Sequence, residues 1–198
     1  MSIIPVPHRH NKLIIVGSGS SLNEFDKHQL ETLNVPTIAV NREYWKFNAT
    51  YFCTIDPLKQ VKTLCDTSKN TYKYVGFPEV LTGHNVHLLK RYYQPRNFLL
   101  CTHKDTLQSH NSSYAALNLA YHMEAKKILL LGVDADTYRY PKESKGWRIS
   151  ISKMPRLFSA ALPQLEQRKI KVINGSLQSN IMCFPKLSID DSINWIMD

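Results

Sequence analysis

The residues best suited to hold an anion form one short run, Gly17-Ser18-Gly19-Ser20-Ser21. Alternate glycines let the backbone take φ > 0 and come close to a bound group, while serine hydroxyls and free amides at the mouth of a helix can receive a phosphate. The run departs from the full dinucleotide pattern, because Leu22 stands at the third glycine position, and no Lys followed by Ser or Thr completes a P-loop. A plain strand-to-helix turn would use the same residues. Further polar groups recur downstream: Asn41, Asp56 ahead of Pro57, Ser112 and Ser113 after Ser109-His110-Asn111, and Asp134 with Asp136. Asp134, Asp136 or His110 could deprotonate a hydroxyl, and Asp56, Asp134 and Asp136 could hold Mg²⁺ over a triphosphate. Asp134 could equally cap a turn, and Asp56 could close an Asx turn.

These groups need elements that bring them together. Leu13 to Val16 is a run of branched apolar residues directly before the Gly-Ser turn and reads as a strand buried on both faces. Thr37 to Val40 and Tyr51 to Ile55 read as the next two strands, with Asn41 and Asp56 just past their carboxyl ends, and Lys127 to Leu131 as another ending in Gly132-Val133-Asp134. Ser21 to Leu30, Tyr44 to Phe47, Lys59 to Cys65, Ser112 to Met123 and Leu157 to Arg168, broken or started near Pro163, read as helices. Lys73 to Phe77, Asn97 to Cys101 and Lys171 to Ile173 complete the expected strands, and Asp190 to Asp198 a closing helix with Ile193 and Ile196 inward. Residues 1–11 form an irregular lead-in, and 136–155 a long polar loop of the kind that serves as a lid. The pattern predicts one α/β domain over 1–198: a Rossmann-like, open, mostly parallel sheet with helices on both faces, whose carboxyl rim carries the polar groups.

Composition narrows the class. The 198 residues are 43% hydrophobic and 21% charged, which suits a folded core, and no window approaches the roughly 18 apolar residues of a membrane span. With no signal-peptide pattern at MSIIPVPHRH, the expected location is cytoplasmic. Cys53, Cys65, Cys101 and Cys183 are scattered without a CxxC, so a zinc knuckle or disulfide framework is not indicated. The net charge of +9 favours anionic partners. Its bases are dispersed, so a solvated basic surface is preferred to a nucleic-acid stripe, and the basic aromatic stretch Arg91-Tyr92-Tyr93 with Arg96 reads as packing and solvation.

In sequence and order, IIVGSGSSL at Ile14, VNREYW at Val40, TIDP at Thr54, NSSYAALNLAYHMEAKKILLLGVD at Asn111 and KIKVINGS at Lys169 resemble the bacterial sialyltransferases that use a CMP-sugar. Those enzymes carry a GxGPSL loop, CN or SN after the second strand, NP after the third, a TSG-headed helix and a strand ending in GID. The outline is also similar to a wider set of proteins that includes the archaeal 6-hydroxymethyl-dihydropterin pyrophosphokinase. The resemblance covers most of residues 12 to 180. It implies a nucleotide-binding fold in which Gly17, Ser18, Gly19, Ser20, Asn41, Asp56, Ser112 and Ser113 line the nucleotide site. Tyr138 and Tyr140 would steady the leaving phosphate. A glycosyltransferase of this kind would need no metal, whereas the pyrophosphokinase-like alternative would need Mg²⁺. Three departures stand out: Asp56 replaces an asparagine, Ser20 replaces a proline, and no histidine follows His122 where the sialyltransferases have their base. The expected partner is a nucleotide or nucleotide sugar, and a non-catalytic nucleotide or nucleic-acid binder remains a third reading.

Overall fold

The computed structural model describes residues 9–23, 25–41, 43, 47–56, 71–76, 86–103, 105–136 and 145–198, with side chains left out at 75 and 145–147. Strand β1 (Lys12–Val16) is central, and its four apolar side chains, Leu13 to Val16, are fully buried. Both faces are covered, which is why the run shows no polar alternation. Beside β1 lie β2 (Thr37–Val40), β3 (Tyr51–Thr54), β4 (Tyr72–Val75) and β5 (Val86–Leu88) on one side, and β8 (Lys127–Leu131) and β9 (Lys171–Asn174) on the other. The order is β5-β4-β3-β2-β1-β8-β9, and every pairing is parallel. Parallel pairing puts the carboxyl ends of all seven strands on one rim. The direction of chain progression reverses between β1 and β8, so the crevice beyond those two strands is the switch point where open α/β sheets bind ligands.

Alternate residues of the strands feed two cores. Leu13, Ile15, Ile38, Val40, Ile128 and Leu130 pack with helix α2 (Ser112–His122) and with α3 (Lys145–Gln167). Ile14, Val16, Ala39, Leu129 and Leu131 pack with Leu30 of the one-turn α1 (Gln29–Thr32) and with Ile196 of α4 (Ile189–Met197). Helices therefore cover both faces of an open parallel sheet, the predicted architecture. A separate two-stranded parallel sheet pairs β6 (Lys90–Tyr92) with β7 (Thr106–Gln108). The outer edge of β9 is shielded by the segment after it, with Asn174 N donating to Pro185 O and Leu187 N to Asn174 O, a cover that blocks pairing with another chain.

Several expectations need correction. Residues 145–155 are not loop: they open the 23-residue helix α3, which continues through Pro155 and Pro163. Met154, Leu157, Phe158, Ala161 and Leu165 form a buried stripe at helical spacing, and the burial of five such side chains, roughly 1.5–3 kcal/mol for each large one, outweighs the loss of two backbone hydrogen bonds at the prolines. No helix spans Ser21 to Leu30; a 3₁₀ turn at Ser20–Leu22 and the short α1 replace it. Asn97 to Cys101 is not a strand, since only Asn97 is bridged, to Gln94. In α4 the inward residues are Ser192 and Ile196, with Ile193 half-buried. The expected helices at Tyr44 to Phe47 and Lys59 to Cys65 lie largely or wholly outside the described residues. No described helix is long and apolar enough to cross a membrane. Cys53, Cys101 and Cys183 are free thiols; burial pushes all three up.

Candidate functional site

The rim carries two polar clusters. The first joins the turn after β1 to the turn after β8. Gly17 N donates to Leu131 O at 2.8 Å and Gly19 N to Gly132 O at 2.7 Å, so the two turns run in direct backbone contact. Such an approach tolerates no side chain. A Cβ on Gly17 or Gly132 would collide with the opposite turn's carbonyl, and one on Gly19 would fall 2.7 Å from Gly132 O and closer still to Asp134 Oδ2. Gly132 also has φ +61°, a conformation open to glycine at no steric cost.

Asp134, 3% exposed, closes this cluster. Its Oδ2 accepts from Ser21 N at 2.8 Å and its Oδ1 from Ser21 Oγ at 2.9 Å. The backbone amide that could have received a ligand's phosphate is thus occupied by the chain's own carboxylate. From the other side Asn180 N donates to Asp134 O at 2.8 Å, and the Ser179 hydroxyl donates to Val133 O. Asn174, fully buried at the end of β9, donates to the same Val133 O at 3.1 Å. Asp136 lies half-exposed, with its Oδ2 accepting from Ser20 Oγ. Its Oδ1 has no partner among the described residues.

The second cluster joins β2, β3 and α2. Asp56 Oδ2 accepts from Asn41 Nδ2 and from Ser112 Oγ, each at 2.7 Å. Thr54 Oγ1 donates to Asn41 Oδ1 at 2.7 Å, and Asp56 N donates to Thr54 Oγ1. Asn41, Thr54, Asp56 and Ser112 are therefore one network, and it leaves Asp56 Oδ1 without a partner among the described residues. Asn111 rather than Ser112 is the N-cap of α2: its Oδ1 accepts from Ser113 N at 2.8 Å and Tyr114 N at 3.4 Å. The amide of Ser113 is consequently not open to an anion.

Backbone strain marks the same rim. Among the described residues four other than glycine have positive φ: Glu124 and Lys169 just past helices α2 and α3, and Asn41 and Ala135 at strand exits. Left-handed geometry is ordinary where a helix ends. Asn tolerates it, whereas alanine at φ +55° costs about 1–2 kcal/mol. That conformation separates two adjacent carboxylates, turning Asp134 inward to Ser21 and Asp136 outward to Ser20. Behind the first turn, Lys27, 8% exposed, donates to Leu22 O at 3.2 Å and lies 3.7 Å from the fully buried Glu43. This ion pair ties the segment after the Gly-Ser turn to the segment after Asn41.

Of the residues singled out from sequence, Gly17, Ser18, Gly19, Ser20, Asp134 and Asp136 sit at one cluster, and Asn41, Asp56 and Ser112 at the other. The clusters lie at the exits of neighbouring strands, β1 and β2, while Asp56 and Asp134 follow β3 and β8, which stand about 14 Å apart by backbone spacing. Among the described residues no three of His, Cys, Asp and Glu gather as a metal site. His110 is turned into protein: Nδ1 lies 2.5 Å from Gln108 Oε1, and the ring packs 4.6 Å from Tyr93 and 5.1 Å from Phe98. Burial, foremost, and the nearby Lys153 hold its pKa below the ordinary histidine value, against an opposing contribution from the Gln94 backbone. Tyr138 and Tyr140 lie outside the described residues. The sequence reading missed Thr54 and Asn111. Asn heads the usual N-cap ranking and directly precedes Ser112-Ser113, which was a usable signal. No family model matches the sequence, and no curated protein matches it.

Proposed function

We propose that this chain is a nucleotide-sugar-dependent glycosyltransferase-like enzyme with a CMP-type donor, in which an aspartate takes over the work of the missing histidine base. The observation that carries this reading is the pair of half-used carboxylates on one rim, Asp56 and Asp136, each with one oxygen engaged by the protein and one without a described partner. One cluster sits at the switch point and the other beside it at the β2 and β3 exits, a row along the rim that suits an extended nucleotide. Asp56 Oδ1 accepts from a hydroxyl or exocyclic amine of the nucleotide. Asp136, oriented by Ser20, takes the proton from an acceptor hydroxyl as that oxygen bonds to the sugar carbon and the nucleotide phosphate departs with the former bonding pair. Asp134 keeps both oxygens on Ser21 and acts as a positioning residue for the turn. Tyr138 and Tyr140 keep the role of steadying the leaving phosphate.

The placement of Asp56 and Asp134 after β3 and β8, with two strands between them, weighs against their sharing one Mg²⁺ for pyrophosphoryl transfer. Thermal unfolding in the presence of CMP, UDP, GDP and ATP, each with and without Mg²⁺, tests the proposal. The expected result is a metal-independent rise with CMP, worth about 2.7 kcal/mol at a hundredfold excess over Kd, retained in D136N and lost in D56A. A response confined to ATP with Mg²⁺ would establish the pyrophosphokinase-like alternative instead.

A further inference from the structure

Nearly all of the chain's net charge of +9 resides in two segments that contain no acid at all. Residues 90–104 carry Lys90, Arg91, Arg96 and Lys104, and residues 144–165 carry Lys145, Arg148, Lys153 and Arg156, with no Asp or Glu in either. They are far apart in sequence and packed together in the fold. Gln164, on α3, accepts from Leu100 N at 2.7 Å and donates to Leu100 O at 2.9 Å. Higher on the same helix, the Arg156 guanidinium lies 4.7 Å over the Phe98 ring, and Ser150 receives Asn111 Nδ2 at 3.2 Å.

The face so formed has rings among its cations. Tyr93, 53% exposed, packs on His110, which in turn meets Phe98 edge-on. Arg96, Lys153 and Arg156 are exposed and carry no ion pair among the described residues, while Lys90 is neutralised by Asp105 at 2.9 Å. Beside Tyr93 an open hollow of about 460 Å³ is lined by Gln94, Pro95, Arg96 and Asn97, two of them amides that can donate and accept. Arg148 and Arg156 span about 12 Å of α3, so the charge forms a stripe rather than a point.

We propose that this face is a docking surface for single-stranded nucleic acid. A strand presents regularly spaced negative charge to Arg96, Lys153 and Arg156, which carry no ion pair among the described residues, together with flat rings that stack on an aromatic side chain whatever their identity. The adjacent Leu99 and Ile149 are exposed singly and do not build the apolar patch that a membrane surface would require. The face also borders the second polar cluster, since His110 and Asn111 lead directly into Ser112. A bound strand would therefore pass beside the rim.

The test is fluorescence anisotropy of a labelled mixed-sequence 12-nucleotide DNA, with the same RNA as a second arm, between 50 and 200 mM KCl. Three phosphate contacts predict a slope of about −2 in log K against log salt, or a roughly 20-fold loss across that range. R96Q/K153Q, two exposed changes, is expected to bring the slope to about −0.7, and Y93A to weaken binding about tenfold with the slope kept, Y93F restoring it. Absence of binding at 50 mM, or binding indifferent to both variants, would overturn the proposal. So would anionic vesicles captured as tightly as the oligonucleotide without dependence on Tyr93. R96Q/K153Q should leave the nucleotide-induced thermal shift intact, so this proposal and that of the donor site fail separately.

Discussion

Asp134 offers the sharpest test of how the rim is built. Replacing it by alanine removes two hydrogen bonds to a carboxylate, from Ser21 N at 2.8 Å and Ser21 Oγ at 2.9 Å, at a position only 3% exposed. Hydrogen bonds to charged groups contribute about 1.5–3 kcal/mol each, and a buried amide left without an acceptor costs about 1–3 kcal/mol. Desolvation of the carboxylate, relieved in the variant, offsets part of that sum. The net expectation is a loss of about 3 kcal/mol for D134A, which for a chain of this size lowers Tm by about 6–12 °C. D134N retains an oxygen for the Ser21 amide, and the Ser21 hydroxyl can turn to accept from the new amide, so its loss should be near 1 kcal/mol. S21A removes the hydroxyl bond alone, and the S21A/D134A cycle should show a coupling of about 1 kcal/mol. Urea unfolding followed by tryptophan fluorescence reads all four, with unchanged m values expected. A D134A variant within 0.5 kcal/mol of the parent, or more stable than it, would refute the argument. Such a result would mean that the carboxylate is held at a cost for use on a ligand.

Two further perturbations probe the neighbourhood. A135G should stabilise the chain by about 0.5–1 kcal/mol, because relief of the left-handed alanine, about 1–2 kcal/mol, exceeds the entropic cost of glycine, while A135V should destabilise it; a destabilised A135G in urea unfolding would show that the conformation is not strained. For His110 the folded pKa lies below the unfolded one, chiefly through burial. The unfolded chain therefore binds the proton first as pH falls. The stability associated with the neutral ring is complete above about pH 6.5 and is lost as pH drops below it toward the folded value. Urea midpoints at pH 8 and 5.5 should fall less in H110Q than in the parent, and equal falls would reject the assignment.

How legible all this was depended on whether a signal was local. The buried run Leu13 to Val16, the small-residue turn after it and the polar residues at the ends of β2, β3 and β8 are local patterns; the run forms the central strand, and the turn and polar residues sit on the rim. β5, β6 and β7 are three residues long, with sequences such as KRY, too short and too polar to show alternation. The prolines of α3 pointed to a break that the buried stripe from Met154 to Leu165 overrides. Ser21 and Asp134 are 113 residues apart, and nothing in either neighbourhood announces that one will satisfy the other.

That contact changes what the Gly-Ser turn can be. In a phosphate loop the glycine-rich backbone waits for an anion from outside; here Asp134 supplies the anion from within, and the turn is set before any ligand arrives. A second full negative charge close to Gly19 would meet a buried carboxylate at short range, where the low dielectric strengthens repulsion. On the donor-site proposal above, this turn would therefore meet the uncharged sugar of the ligand rather than its phosphate, through Ser18 and Ser20.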